Sequence, residues 1–458
     1  MIPFGLLGGF CDHLEIRITG LSEKGFSFRV PEKIEKAACL DICFFDFSAD
    51  CYRKVQLAEK EREMKLTEET PFFFIYSVWT KNGEYREQVK RLVTDYDNYI
   101  SLKLAGDDAY LSEKMVGYPA ELDEVYAESF EEQKKEWFSC VGDGIQECRN
   151  TWEHKKWNIT DLPEFELAIT IDRPELYYDF LQKDWTRFCH DYWKNNFLEH
   201  HTLSKKRVTR IYIGNQFCHN LFPRKELLFQ VLEKALENNL AVTLAFSYIR
   251  NHLLEEIDEL LQELEVWCQS REKEAGKDQE EIIVNDWAMP ILLQGKPHLK
   301  PVLGVLLNKR RKDVRLPYKH GIGNHVDSLA ENNLNCGFYQ DYLKNTFDIQ
   351  RFEFESCGYK VTIPDGHHSL HLPFFQTNTS QYCTLYAVCR YGDREKQKLP
   401  ENCPKYCEQK VFLYPKHLKM VGRYNSLFGY DEKILWDEKQ LQDYLEQGID
   451  RIVVNVSL

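Results

Sequence analysis

Four cysteines lie close together in the segment SQYCTLYAVCRYGDREKQKLPENCPKYCEQK (380–410): Cys383, Cys389, Cys403 and Cys407. Thiolates at such short separations in sequence repel one another when they meet, so a bound cation or cluster is the natural compensation. Four thiolates suit zinc as well as an iron–sulfur cluster, and the spacing does not distinguish the two metals. Reduced structural cysteines, or a disulfide formed after lysis, are the alternative.

Two acidic side chains offer a second kind of chemistry. Glu353 and Glu355 are two residues apart in the predicted strand IQRFEFES, so both face the same side of it. Facing inward, they would form a candidate catalytic acid–base pair. If instead Phe352 and Phe354 form the buried face, the two carboxylates lie at a solvated edge, which is the interpretation that we favour.

Three further polar motifs have both a structural and a functional interpretation. Residues 285–287 (Asn-Asp-Trp) end a predicted strand, where Asp286 is either a helix N-cap or a catalytic group at a barrel mouth. The HHSLH motif (367–371) has metal-binding residue types, but its spacing matches no familiar site. The basic run KRRKDVR (309–315) predicts a solvated loop, with binding of a phosphate or an RNA backbone as the alternative.

Composition limits the class of protein that carries these residues. The 458-residue chain has a formal net charge of −14, which argues against a protein that coats nucleic acid. No apolar run reaches the roughly 18 residues of a membrane span, and the opening MIPFGLLGGFCDHLEI lacks the features of a signal peptide. The 15 cysteines in such a chain indicate free thiols or metal ligands. We therefore expect a soluble cytoplasmic protein with no membrane partner.

The residues that must position the cysteines form an α/β domain over residues 164–458. Strand and helix patterns alternate through this half, from the strand ELAITID to the final helix EKQLQDYLEQG and strand IDRIVVNVS. Such alternation predicts parallel β/α units, and the length favours a TIM-like barrel. An open doubly wound sheet is the alternative. No phosphate loop or dinucleotide glycine fingerprint follows a strand, which argues against nucleotide binding by such a sheet.

The preceding residues divide into two parts. Residues 1–105 contain five short runs rich in β-branched and aromatic residues, such as LEIRITGL and LDICFFDF, followed by the helical pattern EYREQVKRLVTDYDNYISLKL. They predict a small antiparallel barrel or sandwich with a trailing helix. Residues 106–163 predict a polar connector with a helical piece near EEQKKEWF, which ends at DLPEFE.

The second domain contains an ordered series of motifs. RIYIGNQFCHN (210–220) comes first, then EEIIVNDWAMPILL (280–293) and PVLGVLLNKRRKDVR (301–315), and finally SQYCTLYAV and ENCPKYC. The series resembles the collagenase-like peptidase superfamily (unassigned peptidase family thirty-two), and within it the anaerobic ubiquinone-biosynthesis hydroxylase subunits. The resemblance covers residues 165–458.

This resemblance implies a 4Fe–4S cluster with four thiolate ligands. The early ligand of the family falls on Cys218, and the three later ligands fall on Cys383, Cys403 and Cys407. Cys389 is the substitute for Cys383, because its spacing to Cys403 is closer to that of the family. Cys218 follows a predicted strand, at the end where β/α barrels carry their chemistry.

The resemblance also implies a class of function. It suggests a redox enzyme or hydroxylase component that acts without molecular oxygen on a small or aromatic substrate, with a homologous second subunit as partner. Proteolytic members carry a Glu-x-Phe-x-x-Gly-Ala-x-Cys signature, which RFEFESCGYK (351–360) breaks, so peptidase activity is doubtful. A peptidase or peptide-processing protein and a non-catalytic scaffold with a structural metal remain the alternatives.

The first domain resembles a PilZ-like barrel in the turn ITGLSEKGFSFRVP. Ser22 and Gly25 match the family's Asp-x-Ser-x-x-Gly motif, but Gly20 stands in place of the acidic residue. The arginine pair that supplies the phosphate contacts is absent from residues 1–14. We therefore expect a degenerate domain that serves protein contacts rather than nucleotide binding.

Overall fold

The computed structural model describes residues 6–12, 14–34, 37–46, 51–70, 72–104, 125–126, 134–135, 137–138, 162–275, 280–312, 314, 330–392, 396, 398–400, 402–413 and 419–456. The chain forms two compact units: unit 1 is Met1–Asp123 with Arg315–Ala330, and unit 2 is Glu124–Val314 with Glu331–Leu458. Most of the predicted connector 106–163 lies outside the described residues, although residues 134–135 and 137–138 are helical, as predicted for this segment.

Unit 1 contains an antiparallel sheet in the order β5-β4-β1-β2-β3-β7-β6. Its strands are β1 (Leu7–Cys11), β2 (Leu14–Ser22), β3 (Gly25–Val30), β4 (Cys39–Asp46), β5 (Cys51–Ala58), β6 (Arg62–Glu69) and β7 (Phe74–Thr80). The sequence pattern does not predict β6, because this edge strand is mostly charged and exposed. Only Glu59–Glu61 join β5 to β6. The sheet is therefore coiled, since the two edge strands must come together at this short connection.

Helix α1 (Gly83–Leu104) completes unit 1 where a helix is predicted. Its Tyr85 is fully buried, and the ring packs against those of Phe26 and Phe44. The Tyr85 hydroxyl donates to the carbonyl of Ser22, at 2.9 Å, and so ties the helix to the turn between β2 and β3.

Unit 2 is built on a parallel eight-stranded sheet in the order β13-β12-β11-β10-β9-β20-β15-β14. After the short strand β8 (Val125–Tyr126), its strands are β9 (Glu166–Ile171), β10 (Arg210–Ile213), β11 (Ala241–Leu244), β12 (Glu280–Val284), β13 (Leu299–Leu303), β14 (Glu353–Glu355), β15 (His368–Leu372) and β20 (Ile449–Val454). Leu303 and Phe352 form a parallel bridge between the two edges. The sheet is thus nearly closed and barrel-like.

One layer of the barrel interior is apolar and takes its side chains from different strands, as in other parallel barrels. This layer consists of Ala168, Tyr212, Ala245, Ile283, Val302 and Val453. Helices pack outside the strands: α2 (Pro174–Gln182), α3 (Trp185–Asn195), α4 (Lys225–Glu237), α5 (Leu254–Ala275), α6 (Met289–Leu292), α7 (Gly337–Phe347), α8 (Thr384–Tyr391) and α9 (Glu438–Glu446). None of the helices in the described part of the chain is long and apolar enough to cross a membrane.

Two details differ from the sequence prediction. The pattern from Pro174 predicts one long helix, but the chain breaks it at Lys183, because Asp184 caps a new helix by accepting from the amide of Arg187 at 3.0 Å. The HHSLH motif (367–371) lies largely within barrel strand β15. Its residues alternate between the barrel interior and the outside, so His368 and His371 point in opposite directions.

A second, antiparallel sheet in unit 2 has the order β16-β19-β18-β17-β8. Its remaining strands are β16 (Phe374–Thr379), β17 (Val411–Leu413), β18 (Met420–Arg423) and β19 (Ser426–Tyr430). The polypeptide between β16 and β18 carries four candidate cysteines: Cys383, Cys389, Cys403 and Cys407. This sheet therefore positions the late cysteines.

Candidate metal centre at the carboxyl end of the barrel

Cys218 follows β10, on a turn that Gly214 and Asn215 shape. Gly214 has φ +109°, and a Cβ there would lie 2.6 Å from the carbonyl oxygen of Ala245, so only glycine fits. The Asn215 side-chain oxygen accepts from the backbone N–H of Phe217 at 2.9 Å and of Cys218 at 3.0 Å. The turn therefore holds the Cys218 thiol just beyond the carboxyl end of a barrel strand.

Cys383 caps the amino end of helix α8. Its Sγ accepts from the backbone N–H of Tyr386 at 3.3 Å. The same thiol donates to the carbonyl oxygen of Tyr424, at 2.9 Å. Both contacts fix the sulfur in one position.

Cys403 and Cys407 lie on the loop that follows helix α8. Between them Lys405 adopts a left-handed conformation, with φ +56°, and starts a short 3-10 turn over Tyr406–Glu408. Arg423, at the end of β18, donates from Nε to the carbonyl oxygen of Cys407 at 2.8 Å. The antiparallel sheet thus anchors the loop that carries the two cysteines.

These four cysteines, from three separate segments, meet near one another. Burial raises the pKa of Cys218 to about 11, and the Cys403 thiol adds to this rise. Burial raises the pKa of Cys383 to about 12, with further contributions from Cys218 and Cys403. The pKa of Cys407 is raised well above its ordinary value by burial and by the other three thiols. Cys218, Cys383 and Cys407 therefore each feel the charge of at least one other thiol of this group.

Cys389 stands apart from this group. Burial raises its pKa, Lys410 lowers it, and no other thiol acts on it. The structure therefore brings together Cys218, Cys383 and the loop cysteines, and leaves the substitute Cys389 outside. Among the residues that the structure describes, no cysteine is in a disulfide and no three acidic, histidine or cysteine side chains are close enough to hold one metal ion.

Two arginines bring positive charge to the cysteine group. Arg250 lowers the pKa of Cys218, and Arg423 lowers that of Cys407, although burial outweighs both effects. Positive charge and N–H donors stabilise thiolates. The site therefore has groups that favour the ionised, metal-binding form of the cysteines.

A cavity of about 920 Å³ opens beside the cysteine group. Cys403 lies in its wall, together with His219 and Asn220, which directly follow Cys218. Aromatic residues such as Tyr177 and Phe222 line another part of the wall. The volume is that of a pocket for a small molecule.

An ionic layer lies inside the barrel near the amino ends of its strands. Arg451 donates to Glu166 at 2.6 Å and to Glu281 at 2.6 Å, and Arg210 contacts the same two carboxylates at 3.0 and 3.3 Å. Burial alone would raise the pKa of Glu281, but the two guanidinium groups lower it to about 2. In β/α barrels the chemistry lies at the carboxyl ends of the strands, so this layer at the amino ends serves stability rather than catalysis.

Glu353 lies above this layer and is fully buried. Its carboxylate is 2.5 Å from Nε2 of His371 and accepts from the hydroxyl of Tyr212 at 3.1 Å. Burial acts to raise the pKa of Glu353, but the hydrogen bond and charge of His371 lower it below its ordinary value. The solvated edge that we favoured from the sequence is wrong: Glu353 and Glu355 both face the barrel interior, because Phe354 faces outward.

Glu355 pairs with Lys312 at the carboxyl end of the barrel. The Lys312 side chain is 7% exposed and also donates to the Gln376 side chain at 3.3 Å. Burial lowers the pKa of Lys312. Arg310 also turns inward, donating to the carbonyl of Glu355 and, at 2.9 Å, to Cys357. The prediction of a solvated basic loop is therefore wrong for these two cations of the 309–315 run.

Asp286 acts as a structural cap. Its carboxylate accepts from the amides of Ala288 at 2.9 Å and Met289 at 3.1 Å, and from the amide of Ile249. The neighbouring Asn285 donates to the carbonyl of Phe246 at 2.8 Å. Both side chains fasten loops together, which is the structural interpretation of this motif.

His371 and Lys312 are the functional candidates that sequence reasoning missed. His371 lies in a histidine-rich motif and Lys312 in a basic run. Because their sequence neighbours are polar or charged, the sequence pattern does not indicate that these two side chains are buried. An alternating pattern over HSLHL was the available signal for a strand with His371 on one face.

Comparison with known proteins yields no matching family model, no matching curated protein and no matching solved structure.

Proposed function

We propose that unit 2 is a TIM-like barrel of the collagenase-like peptidase superfamily that binds a 4Fe–4S cluster through Cys218, Cys383, Cys403 and Cys407. The observation that carries this proposal is the mutual electrostatic effect of thiols from three segments at the carboxyl end of one barrel. Packing alone gives no reason to gather buried thiols, whereas a cluster of this type takes four thiolates.

A 4Fe–4S cluster and a zinc ion place different demands on four thiolates, and the family resemblance favours the cluster. A zinc ion needs all its thiolates about 2.3 Å from one point. In a 4Fe–4S cluster each thiolate binds its own iron, so the sulfur atoms stand farther apart.

The cluster would supply electron transfer, and the residues of this chain would bind and orient the substrate. The cavity beside Cys403 offers a wall of aromatic and polar side chains for a small molecule. Arg250, Arg423 and the N–H groups around the sulfur atoms would set the potential at which the cluster accepts an electron. We infer a redox enzyme, or a hydroxylase component that acts without molecular oxygen and pairs with a homologous subunit.

Anaerobic purification with iron and sulfide counting tests this proposal. We expect about four iron and four sulfide ions per chain and a brown chromophore. Cys383→Ser should lose most of the iron. Cys389→Ser is the matched control, because it alters a thiol at the other end of the same helix that no other thiol senses.

Three results would contradict the proposal. If the purified protein contained zinc instead of iron, the cysteines would bind a metal ion but not a 4Fe–4S cluster. Iron retained by Cys218→Ser and Cys383→Ser alike would exclude these ligands. If Cys389→Ser lost as much iron as Cys383→Ser, the choice of Cys383 over Cys389 as the ligand would be contradicted.

A further inference from the structure

The imidazole of His371 is held in one orientation inside the barrel. Its Nε2 faces the Glu353 carboxylate at 2.5 Å, and its ring edge packs against Tyr212 with centroids 5.5 Å apart. Because the Glu353 carboxylate accepts a hydrogen bond from Nε2, the hydrogen stays on Nε2. Nδ1 is then the ring nitrogen that can take up or release a proton. The described residues give Nδ1 no hydrogen-bond partner.

A small cavity lies against His371 at the carboxyl end of the barrel. Its volume is about 30 Å³, and it is lined by residues that end or follow several strands: Thr170, Asp172, Asn215, His371, Tyr424 and Asn455. Roughly two water-sized groups fit in such a space. Most of its wall is apolar, and the few polar side chains there mark where an occupant would form hydrogen bonds.

Two buried polar atoms in the cavity lining also lack a partner among the described residues. They are Oδ1 of Asp172 and the hydroxyl of Tyr424, whose side chain is almost completely buried. Leaving buried polar atoms unpaired destabilises the folded chain. A water molecule can satisfy them together, because it both donates and accepts hydrogen bonds.

We propose that this cavity is a binding site for one water molecule and that His371 is its acid–base residue. The water would donate one hydrogen to Asp172 and the other to Nδ1 of His371, and would accept from Tyr424. In the proton transfer, the O–H bond breaks, the electron pair stays on oxygen, and Nδ1 takes the proton while Nε2 keeps its own. Glu353 is the positioning residue that fixes the ring. This inference does not depend on the metal at the cysteine group.

Nitrogen NMR of protein carrying ¹⁵N-histidine, together with a crystal structure, tests the proposal. The His371 signal is assigned by its loss in His371→Gln. We expect hydrogen fixed at Nε2, and an ordered oxygen within hydrogen-bond distance of both Nδ1 and Asp172. Asp172→Asn should shift the Nδ1 signal through the bridging water, although the two side chains make no direct hydrogen bond.

His368→Gln is the matched control, because His368 lies on the same strand but faces away from the cavity. It should leave the His371 signal in place. An ordered oxygen that contacts Nδ1, Asp172 and Tyr424 together supports the site. A cavity without an ordered oxygen would overturn the proposal, and so would an Nδ1 signal that Asp172→Asn leaves unchanged. Neither result requires a variant of Glu353.

Discussion

The Cys383 thiol lies 2.9 Å from the carbonyl oxygen of Tyr424 and donates a hydrogen bond to it. Tyr424 also lines the small cavity beside His371. Tyr424 therefore belongs to both sites: its backbone carbonyl contacts the cysteine group, and its side chain lines the interior cavity. Since metals bind thiolates, Cys383 must lose this proton, and with it this hydrogen bond, when it becomes a ligand.

The metal-free thiols should be slow to react with alkylating agents. Burial raises the pKa of Cys218 to about 11 and that of Cys383 to about 12, so the reactive thiolate is scarce near neutral pH. We expect both to react with iodoacetamide at least about tenfold more slowly than the exposed Cys336 at pH 7.5. Pulse alkylation followed by peptide mass spectrometry measures the rates. Labelling of Cys218 as fast as Cys336 would contradict the burial described above.

Removing Arg451 should destabilise unit 2 strongly. Its guanidinium bridges Glu166 and Glu281, and a buried charge that loses its partner costs about 3–5 kcal/mol. We expect this loss for Arg451→Met in urea unfolding. Lys225→Met is the control, because Lys225 and its partner Glu263 are both about half exposed, and it should cost about 1 kcal/mol or less. Equal losses of unfolding free energy in the two variants would show that the buried ionic layer stabilises the protein no more than an exposed ion pair does.

Local patterns predict the parallel strands of unit 2 well, because each combines β-branched residues with a following helix. They fail at β15, where HSLHL looks like a polar loop unless its neighbours are known. The same limit applies to Glu353 and Glu355: two strand faces alternate in the sequence, but only barrel closure decides which face is interior. Polar residues inside a barrel depend on distant partners, which a single segment does not contain.

Local sequence also reveals some of the candidate cysteines and not others. Spacing alone reveals the late cysteines, because they share one short segment. Cys218 is far from them in sequence, so only its position after a barrel strand, together with the family resemblance, selects it. The choice of Cys383 over Cys389 depends on the direction in which helix α8 presents each thiol, which follows from the way that Cys383 caps the helix.

Acid should weaken unit 2 through His201. This side chain is buried, its Nε2 lies 2.7 Å from the carbonyl of Leu435, and burial lowers its pKa from 6.5 to about 4. Because the folded state binds the proton less readily than the unfolded state, its stabilising effect is present above pH 6.5 and is lost as the pH falls toward 4. The loss is on the order of 3 kcal/mol.

Urea unfolding at pH 7 and pH 4.5 measures this effect. His201→Gln should reduce the difference between the two pH values, whereas His200→Gln, at an exposed neighbouring position, should not. Part of the acid sensitivity should remain, since burial also lowers the pKa of His368 to about 4. An unchanged pH difference in His201→Gln would exclude this histidine as a source of acid sensitivity.

The turn between β2 and β3 should tolerate only glycine at position 25. Gly25 has φ +156°, and a Cβ there would lie 1.9 Å from the carbonyl oxygen of Val78 on the neighbouring strand β7. Gly25→Ala must therefore push two paired strands apart, and we expect it to destabilise unit 1 by about 2 kcal/mol or more. Gly83→Ala is the matched control, because nothing lies within 4 Å of its added carbon. Thermal unfolding of both variants distinguishes them, and a Gly25→Ala protein as stable as Gly83→Ala would show that this turn relaxes without disturbing the sheet.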